Sequence, residues 1–240
     1  MDATLRESYI FKDHGVSLEK YIASEEFREI SALIDARYQR PVDLFDVGAG
    51  NGVCAAAFAI AGHQAMAIEP GNSNIGGIEA IVAMAEAGTR IDQTIKERLR
   101  WAQADILTYS SDEKYDVVLC RQALHHFADP YLALNNIANL LKPGGMALFV
   151  REHVIFDEED KQLFLAGHPL QKFYGGENAY RVDEYEDFIE KSGLQLTKTL
   201  KFADSPINYE PHKLADIETL SERDIAGRPY TFIALKSPEQ

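Results

Sequence analysis

The spacing of apolar positions changes repeatedly along the chain, and each change marks an element. Phe27, Ile30, Ile34 and Tyr38 fall three or four apart, one face of a helix, and the stretch 1–40 reads as helical up to the punctuation of Pro41. Asp43 to Val47 is a short strand pattern, closed by the glycine cluster Gly48, Gly50 and Gly52. An alanine-rich helix follows to about Ala61, with Gly62 as its stop, and Gln64 to Glu69 is a second strand. Residues 75–99 are helical again, with Ile91, Ile95 and Leu99 four apart, and Arg100 to Ala104 is a third short strand. Tyr115 to Cys120 is a nearly unbroken apolar run, as in a strand buried on both faces. Asp129 and Pro130 form an N-cap followed by proline in the first turn, and the helix turns Leu134, Ile137 and Leu141 inward before it ends at Lys142-Pro143-Gly144-Gly145. Met146 to Val150 is the fifth strand. Asp183 with Glu186 has the spacing of a capping box, Tyr185, Phe188 and Ile189 line the helix that follows, and Leu194 to Phe202 and Tyr230 to Leu235 are the last strands. Alternating strand and helix implies parallel strands with right-handed crossovers, a doubly wound α/β sheet. Residues 1–40 form a helical cap or lid on a main domain of residues 41–240, with insertions at about 154–181 and 203–228.

Composition narrows the classes. Apolar residues are 46% and charged residues 26%, an ordinary globular balance that excludes a disordered or fibrous chain. Lys and Arg number 24 against 38 Asp and Glu, a formal charge of −14, so a phosphate-binding nucleic-acid surface is not expected. No stretch reaches the length of a bilayer span, and the N-terminus lacks a signal-type apolar core, so a cytoplasmic protein without membrane partners is expected, a monomer or homodimer. Cys54 and Cys120 cannot staple a chain of this length, and both read as buried thiols in a reducing compartment.

In a doubly wound sheet, ligands bind beyond the C-terminal strand ends. Gly48-Ala49-Gly50-Asn51-Gly52 follows the first strand, where glycines permit a tight turn and a helix N-terminus offers free N–H groups. Glu69 closes the second strand, 21 positions after Gly48, where an acid can accept both hydroxyls of a ribose. Asp105 closes the third strand and could accept from an exocyclic amine, with Ile106 packing on a flat ring. Each has a plainer reading, as a turn, a solvated acid and a helix cap; together they imply an adenosine-containing ligand. The dinucleotide fingerprint G-x-G-x-x-G is not met, because Val53 stands where its third glycine belongs.

The pattern Asp46-Val47-Gly48-Ala49-Gly50-Asn51-Gly52 instead resembles the first motif of the class I S-adenosylmethionine-dependent methyltransferases, D/E-x-G-x-G-x-G. Ala67-Ile68-Glu69-Pro70 is similar to that family's second motif, Gln103-Ala104-Asp105-Ile106 to its adenine motif, Tyr115 to Phe127 to its Y-D-x-V segment with L-H-H, and Leu140 to Gly145 to its L-K-P-G-G turn. The resemblance covers about residues 42–152 with strong motifs. It implies a seven-stranded, mostly parallel sheet of order 3-2-1-4-5-7-6 with strand 7 antiparallel, and S-adenosylmethionine as cofactor. It implies further that Glu69 holds the ribose beside Pro70, that Asp105 and Ile106 hold the adenine, and that Asp46, Gly48, Ala49, Gly50 and the Cys120-Arg121 backbone hold the methionine part.

Methyl transfer needs proximity more than a fixed catalytic group. His153, after the fifth strand, is the candidate base for a small-molecule acceptor, or else a hydrogen-bonded histidine of the wall. Tyr9 and Tyr21 in the N-terminal segment, His126 after the fourth strand and Tyr174 in a glycine- and aromatic-rich loop are candidates to line the acceptor pocket. His125 and His126, read as neighbours on a helix, point about 100° apart, and no carboxylate or cysteine is spaced to join them, so no metal is expected. A non-catalytic module that binds S-adenosylmethionine, and an NAD(P)-linked oxidoreductase, are the alternatives.

Overall fold

The computed structural model describes residues 13–168, 171 and 176–238. In chain order the elements are α1 (His14–Ile22), α2 (Glu25–Tyr38), β1 (Asp43–Val47), α3 (Val53–Ile60), β2 (Gln64–Glu69), α4 (Ile78–Gly88), α5 (Ile95–Arg98), β3 (Leu99–Gln103), β4 (Tyr115–Arg121), a 3-10 turn (Leu124–His126), α6 (Pro130–Leu140), β5 (Leu141–Val154), α7 (Glu158–Gly167), α8 (Val182–Lys191), β6 (Leu194–Leu200), α9 (Pro206–Tyr209), α10 (Leu214–Ile217) and β7 (Arg228–Lys236). The seven strands make one sheet of order β3-β2-β1-β4-β5-β7-β6. The pairs among β1 to β5 are all parallel, and β7 runs antiparallel to both β5 and β6. Fold class and strand order are therefore as the sequence resemblance implies.

Alternation along the central strands divides the core. Leu44, Val117 and Leu119 face one layer, with Ala55, Phe58 and Ile81, and Leu18, Tyr21, Ile30 and Ile34 of α1 and α2 join that layer. Phe45, Val47, Val118 and Cys120 face the other, with Leu134 and Ile137 of α6 and Tyr185 and Ile189 of α8. Helix starts are capped where the sequence places a short polar side chain: Ser24 Oγ accepts the Phe27 N–H at 3.0 Å, and Asp129 Oδ1 accepts that of Leu132 at 3.0 Å. Among the described residues, no helix is long and apolar enough to cross a membrane.

Several boundaries differ from the periodicity. The stretch 75–99 is not one helix: α4 stops at Gly88, and Asp92 Oδ1 accepts the Thr94 N–H at 2.8 Å, a local turn that competes with helix. Ile91 lies in that turn and is exposed. Strand β3 sits one residue earlier than expected, and β5 is longer, from Leu141 to Val154. The capping box belongs to Arg181 and Glu184, not Asp183 and Glu186; Glu184 Oε2 accepts the Arg181 N–H at 2.8 Å. Strand β6 ends at Leu200, because the Asn208 amide donates to the Leu200 and Lys201 carbonyls and Phe202 turns away.

Strand β5 carries an irregularity that positions the site. Its pairing with β7 slips between Phe149 and Glu152, and Arg151 sits in the left-handed region at φ 59°. The slip gives three consecutive side chains separate tasks. Arg151 donates to the Ile207 and Glu210 carbonyls, Glu152 is wholly buried, and His153 faces a cavity.

Candidate functional site

A cavity of about 900 Å³ opens at the C-terminal strand ends, where the sheet topology places it. At one end lies the glycine loop. Gly48 (φ 65°) and Gly52 (φ 77°) are left-handed, and a Cβ at Gly48 would stand 2.7 Å from the Ala123 Cβ. The backbone there passes the β4 end too closely for any other residue. Glu69 ties β2 to the loop, its two oxygens accepting the N–H groups of Gly50 at 3.0 Å and Gly71 at 3.1 Å. Burial raises the pKa of Glu69, against the pull of those two N–H groups. Asp105 Oδ1 accepts the Leu107 N–H at 2.9 Å, so the acid also caps a turn, and Ile106 beside it is buried. Asp46 is 1% exposed, and its Oδ2 accepts the Ala55 N–H at 3.2 Å, which fastens α3 to β1. Burial pushes its carboxyl up to about 7, partly opposed by that N–H.

Nine of the ten residues expected at the cofactor line this cavity: Asp46, Gly48, Ala49, Gly50, Glu69, Pro70, Asp105, Ile106 and Arg121. Cys120 does not; it faces the core with no exposure, and Gln122 and Ala123 line the wall past Arg121. The donor set suits an adenosylated cation. Acids at two strand ends could accept from hydroxyl and amine groups, and Gly48, with no room for a Cβ beside Ala123, lines the wall with backbone.

The α1–α2 corner closes one side through a buried ion pair that the sequence reading did not foresee. Glu26, 4% exposed, accepts from Arg121 Nη2 at 2.9 Å and lies 3.6 Å from Arg151 Nη1. Burial alone would raise its pKa, but the two guanidiniums outweigh that and hold it below the usual range. Tyr21, expected in the acceptor pocket, lines the cavity with the Arg121 guanidinium 5.5 Å from its ring centre. Tyr9 and Tyr174 lie outside the described residues.

The other end of the cavity is built of histidines. Glu152, 0% exposed, accepts the N–H groups of Ala123, Leu124 and His125 and meets His125 Nδ1 at 2.6 Å. Burial would raise its pKa, but His125 and the backbone donors prevail and lower it. His126 Nδ1 meets the Gly176 carbonyl at 3.2 Å, and His153 Nδ1 the Gly227 carbonyl at 2.7 Å. Burial first, and His125 beside it second, push the His153 imidazole down to about 3. It is therefore neutral at ordinary pH. The expected splay of His125 and His126 is not found. Both lie in the 3-10 turn, not in an α-helix, with ring centres 4.1 Å apart. Glu177, fifty-one positions beyond His126, brings a carboxylate to both at 3.8 Å. The reason for expecting no metal here thus fails: the carboxylate is supplied from far along the chain. Glu152 and His125 were adjacent to candidates in the sequence, but only the fold shows that they meet.

A family model described as a methyltransferase domain matches residues 19–199. The chain is 31% identical over 185 residues to the ubiquinone biosynthesis O-methyltransferase of Stutzerimonas stutzeri, covering 73% of this chain and 74% of that protein. It is 26% identical over 153 residues to the protein of the same name from Rickettsia prowazekii, covering 64% of this chain. The match spans little more than half of that relative, 55% of its length. Among solved structures, a Burkholderia thailandensis 1,6-didemethyltoxoflavin-N1-methyltransferase, with 1,6-didemethyltoxoflavin and S-adenosylhomocysteine bound, superimposes with a TM-score of 0.57 at 18% identity, over 98% of this chain and 88% of that one.

Proposed function

Because the chain belongs to the class I S-adenosylmethionine-dependent methyltransferases, we propose that its acceptor is a small molecule methylated on oxygen, bound at the histidine end of the cavity. The observation that carries this reading is the continuity of the cavity, which joins the glycine loop, Glu69 and Asp105 to His126 and His153 without a wall between. The relatives named for O-methylation support oxygen as the atom methylated.

When bound, S-adenosylmethionine supplies a methyl group on a positively charged sulfur. The residues that would hold it are Glu69, Asp105 and the backbone from Gly48 to Gly50, with Ile106 against the adenine. Glu69 adds negative charge suited to a cationic ligand, and Asp46, its carboxyl pushed up to about 7, adds to it only in part. Residues at the other end orient the acceptor. His153 donates through Nδ1 to Gly227, which leaves Nε2 as an acceptor for a hydroxyl hydrogen. Its low basicity suits it to aligning the hydroxyl rather than storing its proton. Orientation of this kind is the larger share of what an in-line displacement requires.

Incubation with S-adenosylmethionine and a panel of phenols, hydroxy acids and amines, followed by mass spectrometry, tests the reading. Methylation of hydroxyl compounds with release of S-adenosylhomocysteine is the expected result. Transfer only to amines would overturn the choice of oxygen. His153→Ala is expected to lower kcat while leaving cofactor affinity near that of the parent protein.

A further inference from the structure

Two hydrogen bonds at the histidine end fix more than ring positions. Glu152 and the Gly176 carbonyl accept from Nδ1 of His125 and His126 respectively. An imidazole that donates from Nδ1 keeps its lone pair on Nε2 when neutral. Both Nε2 atoms stand 3.8 Å from the same oxygen, Oε2 of Glu177. Two lone pairs and a carboxylate therefore converge on one point, with their donor atoms within 4.8 Å of one another. Such a convergence is repulsive unless a proton or a metal cation sits among the three.

The surroundings are those of a metal ligand set. Histidine ligands characteristically donate their second ring nitrogen to a carboxylate or carbonyl, which sets the ring and raises its donor strength. Here both histidines do so, and Glu152 is itself held by three backbone N–H groups. The side chain of His125 is 1% exposed and that of Glu177 4%. On the far side of Glu177, His168 Nδ1 stands 3.5 Å from Oε1, buried and, among the described residues, with no hydrogen-bond partner. It is placed to steady the carboxylate once Oε2 is engaged.

We propose that His125, His126 and Glu177 bind a divalent transition-metal ion through Nε2, Nε2 and Oε2. Two imidazoles and one carboxylate favour zinc, iron(II) or cobalt(II) over magnesium or calcium, which take oxygen ligands. Bonds of about 2.0–2.2 Å require the three side chains to draw in from their present spacing, a movement within reach of side-chain rotation. Three protein ligands leave positions open, and the cavity is where they open. If the acceptor site is as proposed above, an oxygen of the acceptor fills one of them.

The test uses untagged, chelator-treated full-length protein. Titration calorimetry with zinc is expected to give one site per chain. Cobalt(II) is expected to give visible absorption bands of a low-symmetry nitrogen and oxygen site, and a large excess of magnesium should not displace it. His126→Ala and Glu177→Gln should each weaken zinc binding at least about tenfold, as should Glu152→Gln through loss of the group that sets His125. His212→Ala, an exposed histidine elsewhere, should change nothing. Absence of stoichiometric binding, or binding that survives these substitutions, overturns the site. S-adenosylmethionine affinity, measured on the same metal-free samples, reports separately on the cofactor end, so a failed metal site and a failed methyltransferase reading look different. Zinc binding at these residues with no effect on acceptor KM would overturn the acceptor role alone.

Discussion

Glu69 joins two jobs in one carboxylate. It faces the ligand cavity, and it accepts the N–H groups of Gly50 and Gly71. Glu69→Ala is therefore expected to weaken S-adenosylmethionine by about 1.5–3 kcal/mol, the range for hydrogen bonds to a charged group, with the far-ultraviolet circular dichroism unchanged. Calorimetry reads the affinity, and an unaltered dissociation constant would take Glu69 out of the site. Asp46 makes a different prediction, about stability. Its carboxyl is pushed up to about 7 in the folded chain, against about 3.9 unfolded. Between those values the folded state binds more protons, so this residue's contribution to stability falls as pH rises from about 4 to about 7. The full linkage is at most about 4 kcal/mol, from 1.36 kcal/mol per pH unit. Urea unfolding at pH 5 and pH 8 should show a smaller loss in Asp46→Asn than in the parent protein; an identical loss would contradict the raised value.

At the scale of elements, the turn from β1 into α3 is the least tolerant. Gly48→Ala adds a Cβ only 2.7 Å from Ala123 in a left-handed conformation. The loop must shift, and cofactor affinity should fall at least about tenfold, more than the melting temperature alone would suggest. Affinity within twofold of the parent would show that the loop can relax without moving the ligand. The same elements show what sequence can and cannot reveal. Strands β1 and β2 were legible because each is a short run ending at a glycine or an acid, and β4 because it is a nearly unbroken apolar run ending at Arg121; those ends carry the residues expected at the cofactor. The break between α4 and α5 was not, because Ile91 keeps helical spacing while Asp92 turns the chain through a side-chain bond. Nor was the histidine end. His125 and His126 were visible as neighbours, but periodicity on an assumed helix set them apart, and Glu177 meets them only through the path of the chain after β5. The slip at Arg151, which gives Glu152 and His153 their separate directions, leaves no pattern to read.

For the whole molecule, the corner where α2 meets the sheet is the sensitive joint. Glu26 neutralises Arg121 from β4 and approaches Arg151 from β5. Glu26→Ala strands two guanidiniums in a largely buried place and should cost about 3 kcal/mol, as for other broken buried pairs, measured by urea unfolding; a loss under 1 kcal/mol would mean that water satisfies both. Cofactor acts in the opposite sense. At one hundred times its dissociation constant, S-adenosylmethionine should stabilise by about 2.7 kcal/mol, raising the melting temperature by about 5–10 °C for a chain of this size. NAD at the same concentration should not.

The two cysteines turn this stability into something that can be timed. Cys54 and Cys120 are unpaired and buried, and burial holds both thiols far above their ordinary pKa, so a thiolate-directed reagent finds almost nothing to attack in the native chain. They differ in what must open. Cys120 lies inside β4 with strands on both sides, and it becomes reactive only when the sheet comes apart. Cys54 lies in the first turn of α3 at the cavity wall, beside Tyr21 of α1, and a parting of that corner is enough. Two labelling clocks thus run in one molecule, one set by a corner and one by the sheet; a bound ligand should slow the second by its full stabilisation of the folded chain, and the first only as far as opening the corner loses the ligand.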